Sequence, residues 1–408
     1  MTEDRQLNVV FIHPDLGIGG AERAVVDAAL ALKSSGHSVQ FVTAHHDPSH
    51  CFEETRDGQL KITAVGDWLP RHVFGRCAAL CAYIRMIYAA IYLVFFSDIN
   101  PDIIFCDQIS ACIPFLRISR VKIIFYCHFP DLLLTQRQNM FKRLYRWPID
   151  WLEEWTTGMA HCILVNSKFT AGVFKDTFKT LGHINPEVLY PIPNLSTLGK
   201  PVDPLPKSHC PPKETKTLFL SINRYERKKN LGLAIEGLAK LKESIPLYGI
   251  HLIMAGGYDE RVTENKEHYL ELKELAEKLG VQTHVSFIRS FSDSEKRSLL
   301  SNATSLIYTP DKEHFGIVPV EAMFMQCPVI AVRSGGPVET VDDKVTGFLC
   351  DPTPQSFSES MLYFVKNPNA KEEMGRAGKL RVIEKFSFQA FSRQLNNLIM
   401  ELKFGKEK

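Results

Sequence analysis

Short apolar runs alternate with longer segments of helical periodicity along the chain. The first run, Asn8-Val9-Val10-Phe11-Ile12-His13, leads into Pro14-Asp15-Leu16-Gly17-Ile18-Gly19-Gly20. From Ala21 to Ser35 the residues Ala24, Val25, Ala28, Ala29 and Leu32 recur at helical spacing. This order reads as strand, glycine loop, helix. Further runs at Val39–Thr43, Ile62–Val65, Ile103–Cys106, Ile123–Tyr126 and Cys162–Val165 are apolar on both faces. Such strands, separated by helical segments, predict a parallel sheet covered by helices.

The texture changes between Pro186 and Pro212, where eight prolines crowd one stretch. No regular element is expected to run through it, and residues 196–214 are assigned to a linker between domains. The strand–loop–helix pattern then restarts. Thr217–Ile222, Ile250–Ala255, Val285–Ile288, Ser305–Tyr308 and Val329–Val332 read as strands, and Asn230–Lys242, Tyr269–Leu279 and Asp293–Ser301 as helices. The expected fold class is therefore α/β, with two doubly wound Rossmann-like domains over residues 1–195 and 215–386. Residues 387–408 form a final helix, long enough to cross back to the first domain.

A chain of 408 residues suits two domains, and 45% hydrophobic with 23% charged residues suits packed cores rather than disorder. A net charge of +2 gives no support to a nucleic-acid partner. Ten cysteines include no C-x-x-C pair, so reduced thiols are expected and a zinc ribbon is not. Residues Met1 to Gln6 are polar and lack the apolar core of a secretory signal.

Two segments bear on membranes. Ala78–Phe96 is nearly all apolar with Arg85 as its one charge. It just reaches the length of a membrane span, although an arginine at mid-span costs about 2.5–3.5 kcal/mol on insertion scales. A buried crossover helix, a helix dipping into a membrane surface and a span all remain open. Leu132–Trp155 interleaves Arg137, Lys142, Arg143 and Arg146 with Phe141, Leu144, Tyr145, Trp147, Trp151 and Trp155. That mixture suits a headgroup interface or a solvated basic helix face.

The loop at Gly17, Gly19 and Gly20 invites a dinucleotide reading, but Glu22 stands where the third glycine of G-x-G-x-x-G belongs. No acidic residue ends the second strand, where Thr43-Ala44-His45 stand, so a dehydrogenase is not expected. Gly19 and Gly20 still let backbone approach a ligand, with free N–H groups at the helix start. In the second domain, the strand ending at Ile222 is followed by Asn223-Arg224-Tyr225-Glu226-Arg227-Lys228-Lys229-Asn230. Arg224 and Lys229 then sit at a strand's carboxyl end beside a helix N-terminus, which makes a diphosphate site or a solvated basic loop. Further on, Glu313 and Glu321 stand eight positions apart around Gly316 and Pro319, with Glu313 expected on a loop and Glu321 on the helix that follows. Amides near Phe315–Ile317 could bind an anion there.

Together the E-x7-E pattern Glu313…Glu321, the Arg224…Lys229 pair, the loop Gly19-Gly20-Ala21-Glu22-Arg23, and Ser334-Gly335-Gly336-Pro337-Val338-Glu339 before Val345-Thr346-Gly347-Phe348-Leu349 resemble retaining glycosyltransferases of the GT-B, family 4 type. The resemblance spans the whole chain in the right order. Cys106-Asp107-Gln108-Ile109-Ser110-Ala111-Cys112, Cys127-His128-Phe129-Pro130-Asp131-Leu132-Leu133-Leu134, Asn223-Arg224-Tyr225-Glu226-Arg227-Lys228-Lys229-Asn230 and Glu313-His314-Phe315-Gly316-Ile317-Val318-Pro319 look like the eukaryotic dolichol-pathway mannosyltransferases that add the second and third mannoses.

The resemblance implies two Rossmann-like domains facing across a cleft. It implies α-1,3 and then α-1,6 transfer of mannose from GDP-mannose to a dolichyl-diphosphate oligosaccharide, at the cytosolic face of the endoplasmic reticulum membrane. By the same resemblance, Arg224 and Lys229 meet the departing diphosphate, Glu321 the ribose and Glu313 the mannose hydroxyls. Gly19, Gly20, Phe315, Gly316 and Ile317 join the donor site. His128 faces the transferring mannose, and Gly20, His128 and Asp131 bind the acceptor. Glu313, His128, Arg224 and Lys229 are the implied catalytic set. Other lipid-linked oligosaccharide transferases are a further possible class of partner.

No D-x-D occurs, so metal-independent transfer without a cofactor is expected. Fungal members of the family carry extra C-terminal hydrophobic segments, whereas this sequence ends Lys403-Phe404-Gly405-Lys406-Glu407-Lys408, which shifts membrane attachment to Ala78–Phe96 and Leu132–Trp155. A transferase of another sugar, a non-catalytic scaffold and a sugar-nucleotide epimerase are the rival readings.

Overall fold

The computed structural model describes residues 6–72, 77–134 and 140–405, apart from the side chains of Phe141 and Lys142. Arg137 therefore lies outside the described residues. The chain forms two compact units, residues 1–192 with 388–408, and residues 193–387.

The first unit is built on β1 (Asn8–His13), β2 (Ser38–Thr43), β3 (Lys61–Ala64), β4 (Ile103–Asp107), β5 (Lys122–Cys127), β6 (Cys162–Val165) and β7 (Glu187–Val188). They pair in the order β3-β2-β1-β4-β5-β6-β7, all parallel. Val9 is flanked by Val39 and Ile103, and Ile12 by Val42 and Cys106, so β1 is buried on both faces. On one face the helix Gly20–Ser34 buries Val25, Val26, Ala28, Ala29, Ala31 and Leu32. Each fully buried Val or Leu contributes roughly 1.5–3 kcal/mol. The terminal helix Phe388–Phe404 completes that layer with Phe391, Leu395 and Ile399. His37 Nε2 meets Asn396 Oδ1 at 2.7 Å, and the Ser392 hydroxyl donates to the Ala31 carbonyl at 3.0 Å.

Ala78–Ile91, continued by a π-turn at Tyr92–Phe96, covers the other face. It is long and apolar enough to cross a membrane by length and composition. Met86, Ala89, Ala90 and Leu93 lie in the core against β1 and β4, and buried Arg85 donates from Nη2 to the Ala44 carbonyl. The segment is thus the crossover leading to β4, and a spanning disposition would strip these residues from the sheet. Leu80, Ile84, Phe95 and Phe96 remain exposed.

The helix Met140–Thr157 buries Ile149 and exposes Met140, Leu144, Trp147, Trp151 and Trp155 along one stripe, with the last two rings stacked at 5.7 Å. Arg146 departs from the headgroup reading. Its side chain is buried, 2.9 Å from both Asp131 and Asp150. Arg143 stays exposed.

The second unit repeats the plan with β8 (Thr217–Ile222), β9 (Ile250–Gly256), β10 (Val285–Arg289), β11 (Ser305–Tyr308), β12 (Val329–Val332) and β13 (Gly347–Cys350). Their order is β10-β9-β8-β11-β12-β13, again parallel. Strand order reverses between β1 and β4 in one unit and between β8 and β11 in the other. Ligands of open α/β sheets bind outside the strand ends at such points.

The proline-rich stretch is shorter of regular structure than its neighbours but not devoid of it. Leu195–Leu198 is one helical turn capped by the Asn194 side chain, and Lys207–His209 is another turn. The segment assigned to a linker packs on the second unit: the Asp203 carboxylate accepts from the Ser294 hydroxyl, and Arg297 Nε donates to the Pro201 carbonyl at 3.3 Å.

Candidate functional site

In the second unit the chain leaves β8 at Ile222 and turns through Asn223–Glu226 into a short 3-10 turn, Arg227–Lys229. The Thr309 hydroxyl, just past β11, donates to the Lys229 carbonyl at 2.8 Å and fixes that turn. Lys229 Nζ lies 2.5 Å from Glu313 Oε2. Arg224 is 65% exposed, with Nη1 3.0 Å from Glu226 Oε1. Asn223, Arg224, Lys229, Tyr308, Glu313 and Gly316 line a depression of about 270 Å³, on which the start of the helix Ile317–Phe324 opens.

Two glycines make this geometry possible. Gly316 has φ 78°, a left-handed conformation that costs other residues roughly 1–2 kcal/mol, and a Cβ there would lie 3.3 Å from the Tyr308 ring. At Gly336 a Cβ would come within 2.1 Å of the Phe315 carbonyl oxygen, so the loop beneath 313–315 can close only on glycine. Its N–H donates to the Glu313 carbonyl at 2.8 Å.

The structure thus gathers Arg224, Lys229, Glu313, Gly316 and Ile317. Two cations beside helix-start amides can hold a diphosphate. Phe315 turns its ring into the core, 5.8 Å from Phe386, and does not line the depression. Glu321 does not line the depression. It is buried and ion-paired with Lys296. Burial raises its carboxyl above the usual range, against the pull of Lys296.

In the first unit β1 ends in His13, β4 ends in Asp107, and His128 follows β5 directly. Asp107 is completely buried and bridges the other two: Oδ2 lies 2.9 Å from His13 Nδ1 and Oδ1 2.8 Å from His128 Nε2. Glu22 Oε1 stands 3.8 Å from His13 Nε2. Burial alone would lower His13, but the Asp107 and Glu22 carboxylates outweigh it and raise the imidazole to about 9. Burial alone would raise Asp107, but His128 and His13 hold it down at about 2.

Gly19 precedes the helix Gly20–Ser34, and a Cβ on it would press within 2.2 Å of the Glu22 carboxylate. Gly20 faces open space. The Asp131 carboxylate is committed to Arg146, while the N–H groups of Asp131 and Leu132 donate to Glu153 at 2.7 and 3.0 Å. Burial first, and Asp131 second, push the Glu153 carboxyl up to about 8. Among the described residues no cluster of three or more His, Cys, Asp or Glu side chains could hold a metal ion.

His13, Asp107 and Glu22 were not among the residues assigned to a site from the sequence. The signal available was an apolar strand ending in an ionisable side chain, at β1 and again at β4.

Comparison with known proteins places this geometry in context. Residues 18–194 match the model of glycosyltransferase family 4, and residues 207–381 that of glycosyl transferases group 1. Among curated proteins the chain is similar to alpha-1,3/1,6-mannosyltransferase ALG2 of Homo sapiens, at 56% identity over 97% of this chain and 96% of the relative. It is similar to alpha-1,3/1,6-mannosyltransferase ALG2 of Rhizomucor pusillus at 47% identity, covering 98% and 92%. Among solved structures, a glycosyltransferase from Rickettsia africae superposes with TM-score 0.70 at 16% identity, covering 98% of this chain and all of that one, which bears on the fold alone.

Proposed function

Since the chain belongs to the family of alpha-1,3/1,6-mannosyltransferases, we propose that it moves mannose from GDP-mannose to dolichyl-diphosphate-linked Man1GlcNAc2. The first transfer is α-1,3 and the second α-1,6, giving Man3GlcNAc2 in N-glycan precursor assembly. The observation that carries the reading is the Lys229–Glu313 pair beside Arg224 at the mouth of the second unit's switch point. Negative charge builds on the departing GDP in the transition state, and preorganised cations there lower the barrier. Lys229 is paired with Glu313, and the donor diphosphate competes for it. Glu313, released, accepts hydrogen bonds from mannose hydroxyls. The family resemblance gives His128 a sugar contact and Gly20 and Asp131 acceptor contacts, for which the Asp131 carboxylate has to exchange its pairing with Arg146.

We propose that transfer needs no metal, because Arg224 and Lys229 supply the charge that a metal would. The enzyme acts at the cytosolic face of the endoplasmic reticulum membrane. The Trp147–Trp151–Trp155 stripe suits a headgroup layer, where indole rings are favoured.

The test incubates purified protein with GDP-mannose and the one-mannose acceptor, with and without excess chelator, and sizes the product by mass spectrometry. A gain of two hexoses, insensitive to chelator and lowered on the order of 10²–10³-fold by Glu313→Ala, is expected. No gain with this donor overturns the substrate reading, and loss in chelator overturns the metal-independent one.

A further inference from the structure

The cluster His13–Asp107–His128 is fully buried at two of its three members. Burying a charged pair without solvent costs several kcal/mol per ion, and apolar residues of similar volume would stabilise the sheet better. The cluster sits at the carboxyl ends of β1 and β4, where the strand order reverses and a ligand is expected. Its outermost member, His128, is 21% exposed and reaches that edge.

Three contacts grip His128. The Asn166 amide donates to its carbonyl at 3.0 Å. The Tyr126 ring packs edge-on at 4.5 Å, and Tyr126 is itself tied by its hydroxyl to the Leu189 carbonyl at 3.0 Å. Asp107 takes the Nε2 side of the ring. The contact is a close approach without hydrogen-bond alignment, but a bare lone pair on Nε2 would repel a carboxylate oxygen 2.8 Å away, so the ring proton belongs on Nε2 and Nδ1 is the nitrogen that faces a further partner. Asp107 Oδ2 in turn lies 2.9 Å from His13 Nδ1, so each carboxylate oxygen sits against an imidazole nitrogen.

We propose that Asp107, anchored by His13, is a positioning residue of the transfer site: it holds the His128 proton on Nε2 and offers Nδ1 to a sugar hydroxyl. This rests on the reading of His128 as the residue that meets the sugar. A buried carboxylate that orients a histidine acts through the histidine, so its removal matters only while the histidine is present.

The experiment measures kcat and KM for GDP-mannose in the wild-type chain, in Asp107→Asn, in His128→Ala and in the double variant. Asp107→Asn should lower kcat by roughly 10–100-fold with KM within about twofold, and should add no further loss in the His128→Ala background. A loss that multiplies with that of His128→Ala, or full activity in Asp107→Asn, overturns the proposal. Full activity in His128→Ala removes the underlying reading of His128, and the inference with it. Should Asp107→Asn fail to fold, ring-nitrogen spectra of the wild-type protein with ¹⁵N-labelled histidine decide, with His128 assigned by its absence in His128→Ala. A proton on Nε2 supports the proposal, and its absence from Nε2 overturns it.

Discussion

At the residue scale, two ionisable pairs have opposite surroundings. Lys229 and Glu313 face an open depression and can exchange partners with a ligand. His13 and Asp107 are sealed and cannot. The sealed pair links stability to pH. His13 is raised to about 9 from an unfolded value near 6.5, so its contribution is complete below about 6.5 and disappears as pH climbs through 9. Asp107 is lowered to about 2, so its contribution is complete above about 4 and is lost as pH falls through 2. The melting temperature of wild type should therefore exceed that of His13→Gln most between pH 4 and 6.5, with the gap closing towards pH 9. A gap that stays constant to pH 9.5 would show that the imidazolium carries none of it. These two residues also show what local patterning leaves out. His13 and Asp107 are far apart in the chain, and what brings them together is the pairing of β1 with β4, a crossover that no local pattern specifies.

At the scale of elements, most strands were legible because each is apolar on both faces, as in Val9–Ile12 or Leu252–Met254. Gly316 and Gly336 were legible as motif residues, and the structure adds why: one adopts a left-handed turn and the other lies beneath a carbonyl. The helices Pro354–Lys366 and Ala370–Lys385 were not anticipated, since the second carries its small buried residues, Ala370, Gly375 and Gly378, among many charges. Arg146 shows the limit of composition. A basic residue among aromatics can point inward when two aspartates meet it there. The tryptophan stripe on Met140–Thr157 follows the opposite rule, and its rings are exposed with the basic Arg143 beside them. Replacing Trp147 and Trp151 with Gln should lower co-sedimentation with anionic phospholipid vesicles several-fold while the melting temperature stays within about 2 °C, because neither ring is buried. Undiminished vesicle binding would move attachment to the exposed edge of Ala78–Phe96.

At the scale of the molecule, each unit has its own core, and Phe388–Phe404 belongs to the first although it follows the second in sequence. Leu395 is fully buried against the helix Gly20–Ser34. Leu395→Ala should cost about 2–5 kcal/mol, as core truncations of this kind do. Calorimetry should show that loss in the unfolding transition that GDP does not shift, since the proposed donor site lies in the other unit. A lowered GDP-sensitive transition instead would mean that the terminal helix supports the second unit.

The return of the terminal helix also bears on how the protein is made. During synthesis the N-terminal half emerges first, yet one covering layer of its sheet stays incomplete until the helix Phe388–Phe404 appears. At about 5–20 residues per second, the 195 residues from Pro193 to Ser387 take on the order of 10–40 s to translate. For that interval the apolar groove along Val25, Ala28 and Leu32 has no native cover. The later-made unit can complete its core before the earlier one, and the nascent first half is the stage at which a chaperone has something to hold.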